Sequence, residues 1–574
     1  MMFKRLSRFL ERRSPDVRPA EDPPTEVPDD QEPPIEQVQS EVASAPPLDA
    51  IQQLRALSSQ REWREMQACG FAMLASSQAD DILALLAYGL QQQGCLVEAA
   101  RLAFTATEIN ANLWLAQFVA GVCFQGLGQV DEACRHLRVA LDLNPTDAQT
   151  LRRFVESVAE VRGVDEAATL YRNHCATVGI AAEVLVAPIR GVREWAFETG
   201  APVLATGEVE AIPFKSPEIW GEPFSQRTVT ALSDAPYVAD LADVRIFGNS
   251  GIIVTSDGTA LSDLGAHPRF GCHVKYAYEH PVLFRYSGRL LLDLGSYVTR
   301  EIECGMWLAG LASNAFGHWL PDFLPRLQFL MEHPSFPELP LIVDADMPQS
   351  HFDHLRRLTE NPLIALRRDE SFRCKRLLVA SAPTFLSVDI MPGDIPISDM
   401  PGLSPRALRF VRGKDGPDGS GAGDRRIFLA RRKCQWRRLL NELEIAEALV
   451  ALGFETVFVE EMSVREQIAL FRGAAWIVAP NGSALLNLIF ADPGVKVLML
   501  SQPDLFNWGT FQGPMESLGY RPQWACGERL SGPNPRHADY VVPVDRILTA
   551  LRGMGFPDSQ ADRKNEAEGG IARA

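Results

Sequence analysis

Residues 425–500 read RRIFLARRKCQWRRLLNELEIAEALVALGFETVFVEEMSVREQIALFRGAAWIVAPNGSALLNLIFADPGVKVLML, and this stretch decides the fold class. Four short apolar runs, IFLA, TVFV, WIVA and VKVLML, alternate with segments of helical character. Asn441 with Glu444, and Ser463 with Glu466, have the spacing of helix-capping boxes. Strands that alternate with short helices predict an α/β fold with a parallel, doubly wound sheet.

A basic cluster follows the first of these strands. Ligands of such sheets bind beyond the carboxyl ends of the strands, so the turns after the strands are candidate binding sites. Between residues 425 and 438 there are seven Arg or Lys and no acidic residue, in a chain of formal net charge −17. Guanidinium groups offer paired donors that match phosphate oxygens. The pattern predicts a clamp for a diphosphate, with a solvated basic face as the alternative, on Arg431, Arg432, Arg437 and Arg438.

A tight turn follows the third strand. Asn481, Gly482 and Ser483 come directly after WIVAP and lead into an apolar segment of helical character. The N-terminus of a helix presents free N–H groups and a partial positive charge, which suits phosphate or a nucleotide. The turn is therefore a second candidate for donor binding, and a plain connection is the alternative.

A third constellation lies upstream in SNAFGHWLPDFLPRLQFL. In a helix from about residue 318, His318, Asp322 and Arg326 share one face, while Phe323 and the following leucines face the core. Prolines within this stretch predict an irregular first turn. His318 and Asp322 are candidates for proton transfer, and a structural histidine is the alternative.

Residues 50–182 contain a repeat. Gly94, Glu98 and Ala99 recur 34 residues later as Gly128, Glu132 and Ala133, and Glu166 with Ala167 continues the same offset. This period predicts stacked helix–turn–helix units that resemble tetratricopeptide repeats. Such a module binds a protein partner, mediates self-association or serves as a structural prefix.

The composition restricts the function classes. A net charge of −17 disfavours nucleic acid as a partner. Ten cysteines without a CxxC pair indicate a reducing compartment and argue against structural zinc. The chain begins MMFKRLSRFLERR and lacks both the apolar core of a signal peptide and a run of 18 apolar residues. We expect a cytoplasmic protein, whose basic start either makes peripheral contact with the inner face of a membrane or is frayed.

Composition also marks the boundaries of the predicted domains. Nine prolines among acidic residues at 15–47 predict a disordered linker, and DGPDGSGAGD at 415–424 predicts a linker between two lobes. From about 185 the pattern is one of short strands and turns. The predicted domains are a disordered start at 1–49, helical repeats at 50–182, an N-terminal lobe at 183–414, a C-terminal lobe at 425–555 and a disordered tail at 556–574.

Three segments together resemble glycosyltransferase family 61. They are ADVRIFGNSGIIVTSDGTALSD, SNAFGHWLPDFLPRL and the stretch from FLARRKC to VKVLML, and the likeness covers roughly residues 230–500. The resemblance implies a two-lobed fold of the GT-B kind and inversion at the anomeric carbon. It also implies a nucleotide sugar held mainly by the C-terminal lobe, a glycan acceptor on the N-terminal lobe, and neither metal nor other cofactor.

The family's motifs map onto particular residues of this chain. Its HWxxD motif corresponds to His318, Trp319 and Asp322, and its Arg pair to Arg431 and Arg432. Its motif of a turn plus an asparagine corresponds to Gly482 and Asn487. By this resemblance, His318 or Asp322 accepts the proton of the acceptor hydroxyl, while the arginines and the turn stabilise the departing diphosphate.

Two departures and two alternatives accompany the resemblance. Asn481 stands where relatives commonly have His, and Met499 occupies a position that is often acidic. These changes leave open a noncatalytic scaffold with a degenerate transferase region, against an enzyme in surface or extracellular polysaccharide synthesis. The pair Asp344 and Asp346 has the DxD spacing of metal-dependent transferases, with an ordinary turn at a strand end as the alternative.

Overall fold

The structure is a computed structural model that describes much of the chain between residues 47 and 557. The described residues are 47–60, 62–73, 79–215, 218–220, 228–269, 271–274, 276, 278–383, 404–416, 423–431, 437–502, 515–516, 518–530 and 538–557. Most of the predicted linkers, the C-terminal tail beyond 557 and Arg432 lie outside them. Contacts divide the chain into units at 1–50 and 51–574, and residues 47–50 of the first unit begin a helix.

Helices of the N-terminal module confirm the 34-residue period. Three of them begin at Leu96, Val130 and Val164, which are 34 residues apart. Gly94, Gly128 and Gly163 precede these starts with positive φ angles of 80°, 72° and 92°, which favour glycine. The described helices of this module are Pro47–Gln60, Trp63–Met73, Ala79–Gln92, Leu96–Ile109, Trp114–Gly126, Val130–Leu143, Ala148–Arg162 and Val164–Val178.

The repeat module shares a hydrophobic core with the region that follows it. Small residues such as Ala99, Ala133 and Ala167 are fully buried and let successive helices pack closely. Phe284 and Leu291, on a β-hairpin, belong to the same buried cluster. The Tyr171 hydroxyl donates a hydrogen bond of 2.8 Å to the carboxylate of Asp293 at the end of this hairpin. The repeats are thus packed onto the β-region rather than connected to it by chain alone.

A large mixed sheet of eleven strands forms the first β-region. Its consecutive strands are Leu363–Leu366, Leu341–Asp344, Val298–Trp307, Glu370–Ala380, Tyr237–Phe247, Ile253–Thr255, Ala260–Leu261, Val184–Arg190, Arg289–Asp293 and Val282–Tyr286, and Val203–Ala205 pairs with Tyr237–Phe247. The first four are mutually parallel. Helices Val192–Thr199, Asp263–Ala266, Phe316–His318, Arg326–Leu330, Gln349–Arg356 and Pro405–Arg412 accompany them.

The second sheet has six parallel strands, as the sequence predicts. In spatial order they are Glu455–Val457, Arg425–Leu429, Ala474–Pro480, Lys496–Ser501, Gln523–Cys526 and Ile219–Trp220. The last strand precedes the others by some 200 residues in sequence, so the C-terminal sheet extends beyond the boundaries of 425–555 that composition indicated. Two strands are too few residues from which to recognise such a crossing from periodicity.

Helices cover both faces of this parallel sheet. Glu442–Ala451 and Val544–Gly553 share a buried cluster with Phe428 and Val478. Val464–Arg472 and the 3₁₀ helix Ser483–Phe490 pack on the opposite face with Ile427 and Ile477. Successive strand residues point to opposite faces, and here both faces are buried, which is the doubly wound arrangement.

Only one of the two predicted capping boxes forms. Ser463 and Glu466 cap each other's backbone N–H groups at the start of Val464–Arg472. Asn441 makes no cap hydrogen bond, because its side-chain amide instead donates to the Val542 carbonyl at 2.9 Å. Short two-stranded pairs complete the fold, Ala211–Lys215 with Thr228–Leu232 and Glu528–Arg529 with Tyr540–Val541. No helix of the described residues is long and apolar enough to cross a membrane.

Candidate functional site

His318 and Asp322 form a hydrogen-bonded pair. Nδ1 of His318 lies 3.0 Å from Oδ2 of Asp322, one helical turn away. The Asp322 side chain is 7% exposed and that of His318 is 21% exposed. Because a carboxylate accepts, this geometry places the His318 proton on Nδ1 and leaves Nε2 as the accepting atom in the neutral ring.

The backbone around this pair is irregular, as the prolines predict. Phe316–His318 is a single helical turn, Trp319–Phe323 is a π-helical turn, and a regular helix resumes at Arg326–Leu330. A π-turn widens the helix by one residue and frequently occurs at functional sites. Arg326 lies on the predicted face, because its Nε donates to the Asp322 carbonyl at 3.0 Å.

A first cavity of about 130 Å³ adjoins the pair. Its polar wall is formed by His318, Asp322, Arg326, Tyr276 and Glu279. The Arg326 guanidinium carbon lies 4.6 Å from the ring centre of Phe323, which fixes the side chain over an aromatic face. This cavity brings acidic, basic and hydroxyl groups together on the side of the large sheet.

A second cavity of about 560 Å³ lies between the two sheets. The large-sheet region contributes Asn314, Phe316, Pro348, Ser350 and His351; the parallel-sheet region contributes Leu429–Arg431, Val459–Met462, Gln467, Ala479, Pro480, Gly482–Ala484 and Asn487. The strand Arg425–Leu429 lies between the two strands that follow it in sequence. The chain therefore crosses to opposite sides of this strand, and such a switch point opens the crevice in which ligands of parallel sheets bind.

Arg431 is the basic residue that lines this cavity. Its Nη1 is buried and has no hydrogen-bond partner among the described residues. A Cβ on Gly482 would lie 3.8 Å from Arg431 Cζ and Nη1, so the guanidinium adjoins the turn. The Arg431 backbone N–H donates at 3.0 Å to Glu442, which ties the loop to the helix Glu442–Ala451. Burial raises the pKa of Glu442, and the backbone and charge of Arg431 oppose that shift.

Gly482, Ser483 and Asn487 line the same cavity as Arg431. Gly482 caps the helix Ser483–Phe490, whose first N–H groups have no partner within the helix. Asn487 is 1% exposed, its Nδ2 donates to Gln467 Oε1 at 3.1 Å, and its Oδ1 is buried without a partner in the described structure. Unpartnered buried polar atoms are costly, and they accumulate where a ligand supplies the missing bond.

The segment with His318 touches the turn with Ser483. A Cβ on Gly317 would lie 3.2 Å from the Ser483 Cβ, so a larger side chain would be crowded there. Residues on this one segment line both cavities, Asn314 and Phe316 the second and His318 the first. The predicted catalytic and donor-binding groups are thus neighbours in space.

The structure places other predicted donor-binding residues elsewhere. Arg438 donates to Asp539 at 2.7 Å and to Glu62 of the repeat module at 3.0 Å, so its guanidinium is occupied by protein carboxylates. Arg437 has left-handed backbone, with a φ of 54°. Asn481 is 5% exposed, and its backbone N–H donates to the Leu500 carbonyl at 2.8 Å. A basic run alone does not reveal which carboxylates approach it.

Asp344 and Met499 serve the structure. The Asp344 carboxylate accepts from the N–H groups of Asn249 and Gly310 and from the Ser313 hydroxyl. Burial raises the pKa of Asp344 to about 6, and these hydrogen bonds oppose the shift. Met499 is 1% exposed in the sheet core. In the described ranges, no group of three or more His, Cys, Asp or Glu side chains is arranged to hold a metal ion.

Sequence reasoning missed three residues of the second cavity. Glu460 and Glu461 line it directly after the second strand of the parallel sheet, where an acidic residue commonly binds ribose hydroxyls in doubly wound folds. Their position after a predicted strand could have identified them. His351 lines it from the helix Gln349–Arg356, for which the sequence gives no motif.

Comparisons with known proteins agree with this geometry. Residues 316–498 match the family model described as Glycosyltransferase 61, a segment that contains the His318–Asp322 pair and the residues Arg431 to Asn487. A search of curated proteins finds no significant match.

Solved structures similar to part of the chain contain helical repeats. MamA AMB-1 is 20% identical, with a TM-score of 0.21, over 23% of this chain and 78% of its own. The C-terminal TPR-containing domain of a Plasmodium falciparum FK506-binding protein is 17% identical, with a TM-score of 0.19, over 21% and 90%. The first TPR of Spaghetti, bound to an HSP90 peptide, is 14% identical, with a TM-score of 0.19, over 20% and 91%.

Proposed function

We propose, from the match of residues 316–498 to the glycosyltransferase 61 family, that this chain transfers a sugar from a nucleotide-sugar donor to a glycan acceptor with inversion. The observation that carries the proposal is the second cavity. It joins the unpartnered Arg431 guanidinium, the helix N-terminus at Gly482 and the buried amide of Asn487, next to the segment that bears the His318–Asp322 pair.

In this proposal, the donor binds between the sheets in a GT-B-like arrangement. Arg431 and the N–H groups after Gly482 hold the diphosphate, because both supply positive potential and donors. The carboxylates of Glu460 and Glu461 accept from ribose hydroxyls. A cavity of about 560 Å³ falls within the range of sites for ligands of this size.

His318 is the proposed base and Asp322 its orienting partner. Asp322 accepts from Nδ1, so Nε2 of His318 is available to take the proton of the acceptor hydroxyl. The acceptor oxygen attacks the anomeric carbon from the face opposite the diphosphate, whose bond to that carbon breaks. The proton moves to His318, the nucleoside diphosphate leaves, and the configuration at the anomeric carbon inverts.

The first cavity is the proposed binding place of the acceptor. Its carboxylates, arginine and tyrosine hydroxyl can hydrogen-bond the hydroxyl groups of a sugar next to His318. We further propose a role in surface or extracellular polysaccharide synthesis in the cytoplasm, without a metal cofactor, and recruitment of a protein partner by the repeats.

Ligand-induced stabilisation tests the donor proposal. A ligand that binds the folded state alone raises the melting temperature. We expect UDP, GDP or CMP, or a sugar conjugate of one of them, to raise the Tm of the purified protein, and Arg431→Ala to remove that shift. Circular dichroism of the variant shows whether it is folded.

A noncatalytic scaffold is the competing outcome. If folded wild-type protein shows no shift with any of these nucleotides or conjugates at millimolar concentration, the donor proposal fails. If a nucleotide sugar binds but wild-type protein releases no sugar from it, the chain is a nucleotide-sugar-binding scaffold.

A further inference from the structure

His351 is a buried polar residue in the wall of the second cavity. It lies on the helix Gln349–Arg356, is 1% exposed and faces the cavity together with Arg431 and Ser483. The helix belongs to the large-sheet region, so His351 faces the parallel sheet across the cavity. A side chain in this position contacts whatever fills the space between the sheets.

The hydrogen bonding of His351 fixes its tautomer. Nδ1 lies 3.0 Å from the carbonyl oxygen of Ser313, which can only accept. Nδ1 therefore carries the proton, and Nε2 of the neutral ring carries a lone pair. Nε2 has no hydrogen-bond partner in the described part of the chain. The polar atom that remains for a ligand is thus an acceptor.

Packing holds the ring in place and keeps it neutral. Trp319 stacks on one face of the imidazole with an interplanar angle of 2° and a centroid distance of 5.4 Å. Phe316 lies near it at 6.1 Å with a tilted ring. Burial lowers the pKa of His351 to about 4, and the bond to Ser313 opposes this shift. Near neutral pH the imidazole is uncharged and keeps its lone pair.

We infer that His351 determines donor specificity by accepting, at Nε2, a hydrogen bond from a hydroxyl group of the bound nucleotide sugar. The inference rests on the proposed function and adds a residue from the large-sheet side to the donor site. A fixed, neutral acceptor discriminates in favour of ligands with a hydroxyl at that point, because a ligand without one leaves Nε2 unpaired in a buried place.

Two hydroxyl-bearing parts of the ligand, the ribose and the transferred sugar, share this chemistry. Titration of the protein with the free nucleotide and with its sugar conjugate distinguishes them. If the ribose is the partner, a His351 variant weakens both UDP and UDP-glucose, or the equivalent GDP or CMP pair that binds. If the transferred sugar is the partner, the variant weakens the conjugate alone.

Asparagine and glutamine separate the two nitrogens of His351. His351→Asn keeps an amide N–H near the position of Nδ1 for Ser313 and removes the acceptor at Nε2, whereas His351→Gln places an amide oxygen near Nε2. We expect His351→Asn to weaken binding by about 10-fold and His351→Gln to restore most of that loss.

His354→Asn is the matched control. His354 lies on the same helix, is also 1% exposed and stacks on Phe490, but lies outside the cavity wall. Isothermal titration calorimetry at a temperature well below each variant's Tm gives the affinities. We expect His354→Asn to retain wild-type affinity even where it lowers the Tm.

The outcomes separate the inference from the proposed function. Wild-type affinity in His351→Asn overturns the inference while the donor site stands. Equal losses of affinity in His351→Asn, His351→Gln and His354→Asn indicate a structural role and also overturn it. Absence of binding to folded wild-type protein overturns the proposed function and the inference with it.

Discussion

Trp319 and His351 stack face to face, with ring planes 2° apart and ring centres 5.4 Å apart. Trp319 is fully buried and belongs to the HW pair that the sequence singles out. It faces the helix that carries His351, while its neighbour His318 faces the first cavity. The two residues of the motif thus serve different cavities, His318 through its own ring and Trp319 through the ring that it supports.

Replacement of Trp319 tests this support. Trp319→Ala leaves a cavity beneath His351 and is expected to lower the free energy of unfolding by about 3–5 kcal/mol. Trp319→Phe keeps an aromatic face and should lose less stability and less nucleotide affinity. Chemical denaturation and calorimetric titration measure the two effects. Unchanged nucleotide affinity in folded Trp319→Ala would contradict a supporting role for Trp319.

Loss of the His318–Asp322 pair should slow transfer and spare donor binding. Removal of a general base costs about 10²–10⁴-fold in rate, so His318→Asn should abolish most sugar release from the donor that stabilises the wild type. Asp322→Asn should slow it as well, because the amide no longer fixes the His318 tautomer. Their nucleotide affinities should match the wild type. A fully active His318→Asn would exclude His318 as the base.

Much of the fold could be predicted from local patterns. The helix starts at Leu96, Val130 and Val164 follow glycines that recur at the predicted interval, and the parallel sheet follows its apolar runs. The strand Ile219–Trp220 could not be predicted, because its place in the parallel sheet depends on pairing with residues about 300 positions away. Asn441 likewise has a distant partner, Val542, that sequence spacing does not reveal.

The candidate site was predictable where a motif or a strand end marked it. His318, Asp322, Arg431 and the turn at Gly482 lie at such points, and the structure brings them to two adjoining cavities. His351 was not predictable, because its helix has no distinguishing pattern and its role depends on the fold. Arg438 shares the basic run of Arg431, yet tertiary contacts with Glu62 and Asp539 give it a different role.

Arg431 and Arg438 therefore predict opposite phenotypes. Arg431→Gln should weaken nucleotide binding by about 10- to 100-fold, the range for a charged hydrogen bond, with little change in Tm. Arg438→Gln should lower the Tm, because it leaves Asp539 without its guanidinium partner, and should retain nucleotide affinity. Calorimetric titration and thermal melting of both variants decide this. Equal losses of affinity would place Arg438 in the donor site.

The repeat module is expected to be required for a stable transferase region. Tyr171→Phe removes the bond to the buried carboxylate of Asp293 and should cost about 1–3 kcal/mol. Tyr278→Phe is a matched control, since that ring is 65% exposed. Deletion of residues 1–182 exposes Phe284 and Leu291 and should give aggregated protein. A soluble, cooperatively melting fragment from 183 onward would refute this dependence.

Buried histidines predict a loss of stability in mild acid. Burial lowers the pKa of His136 and of His351 to about 4 and that of His354 to about 3, from 6.5 in the unfolded chain. Below pH 6.5 the unfolded chain takes up protons that the folded protein does not. The stabilising contribution of each neutral histidine is therefore complete above pH 6.5 and is lost as the pH falls toward 4, by at most about 1.4 kcal/mol per pH unit.

His136 allows this prediction to be isolated within the repeat module. Its Nδ1 lies 2.8 Å from Gln117 Oε1, a contact that the amide of His136→Asn can retain. This variant should lose less Tm between pH 7 and pH 5 than the wild type, because it has no imidazole to protonate on unfolding. His174→Asn, at a half-buried position of the same module, should keep the wild-type pH dependence. Identical pH slopes for His136→Asn and the wild type would show that His136 does not contribute to the acid sensitivity.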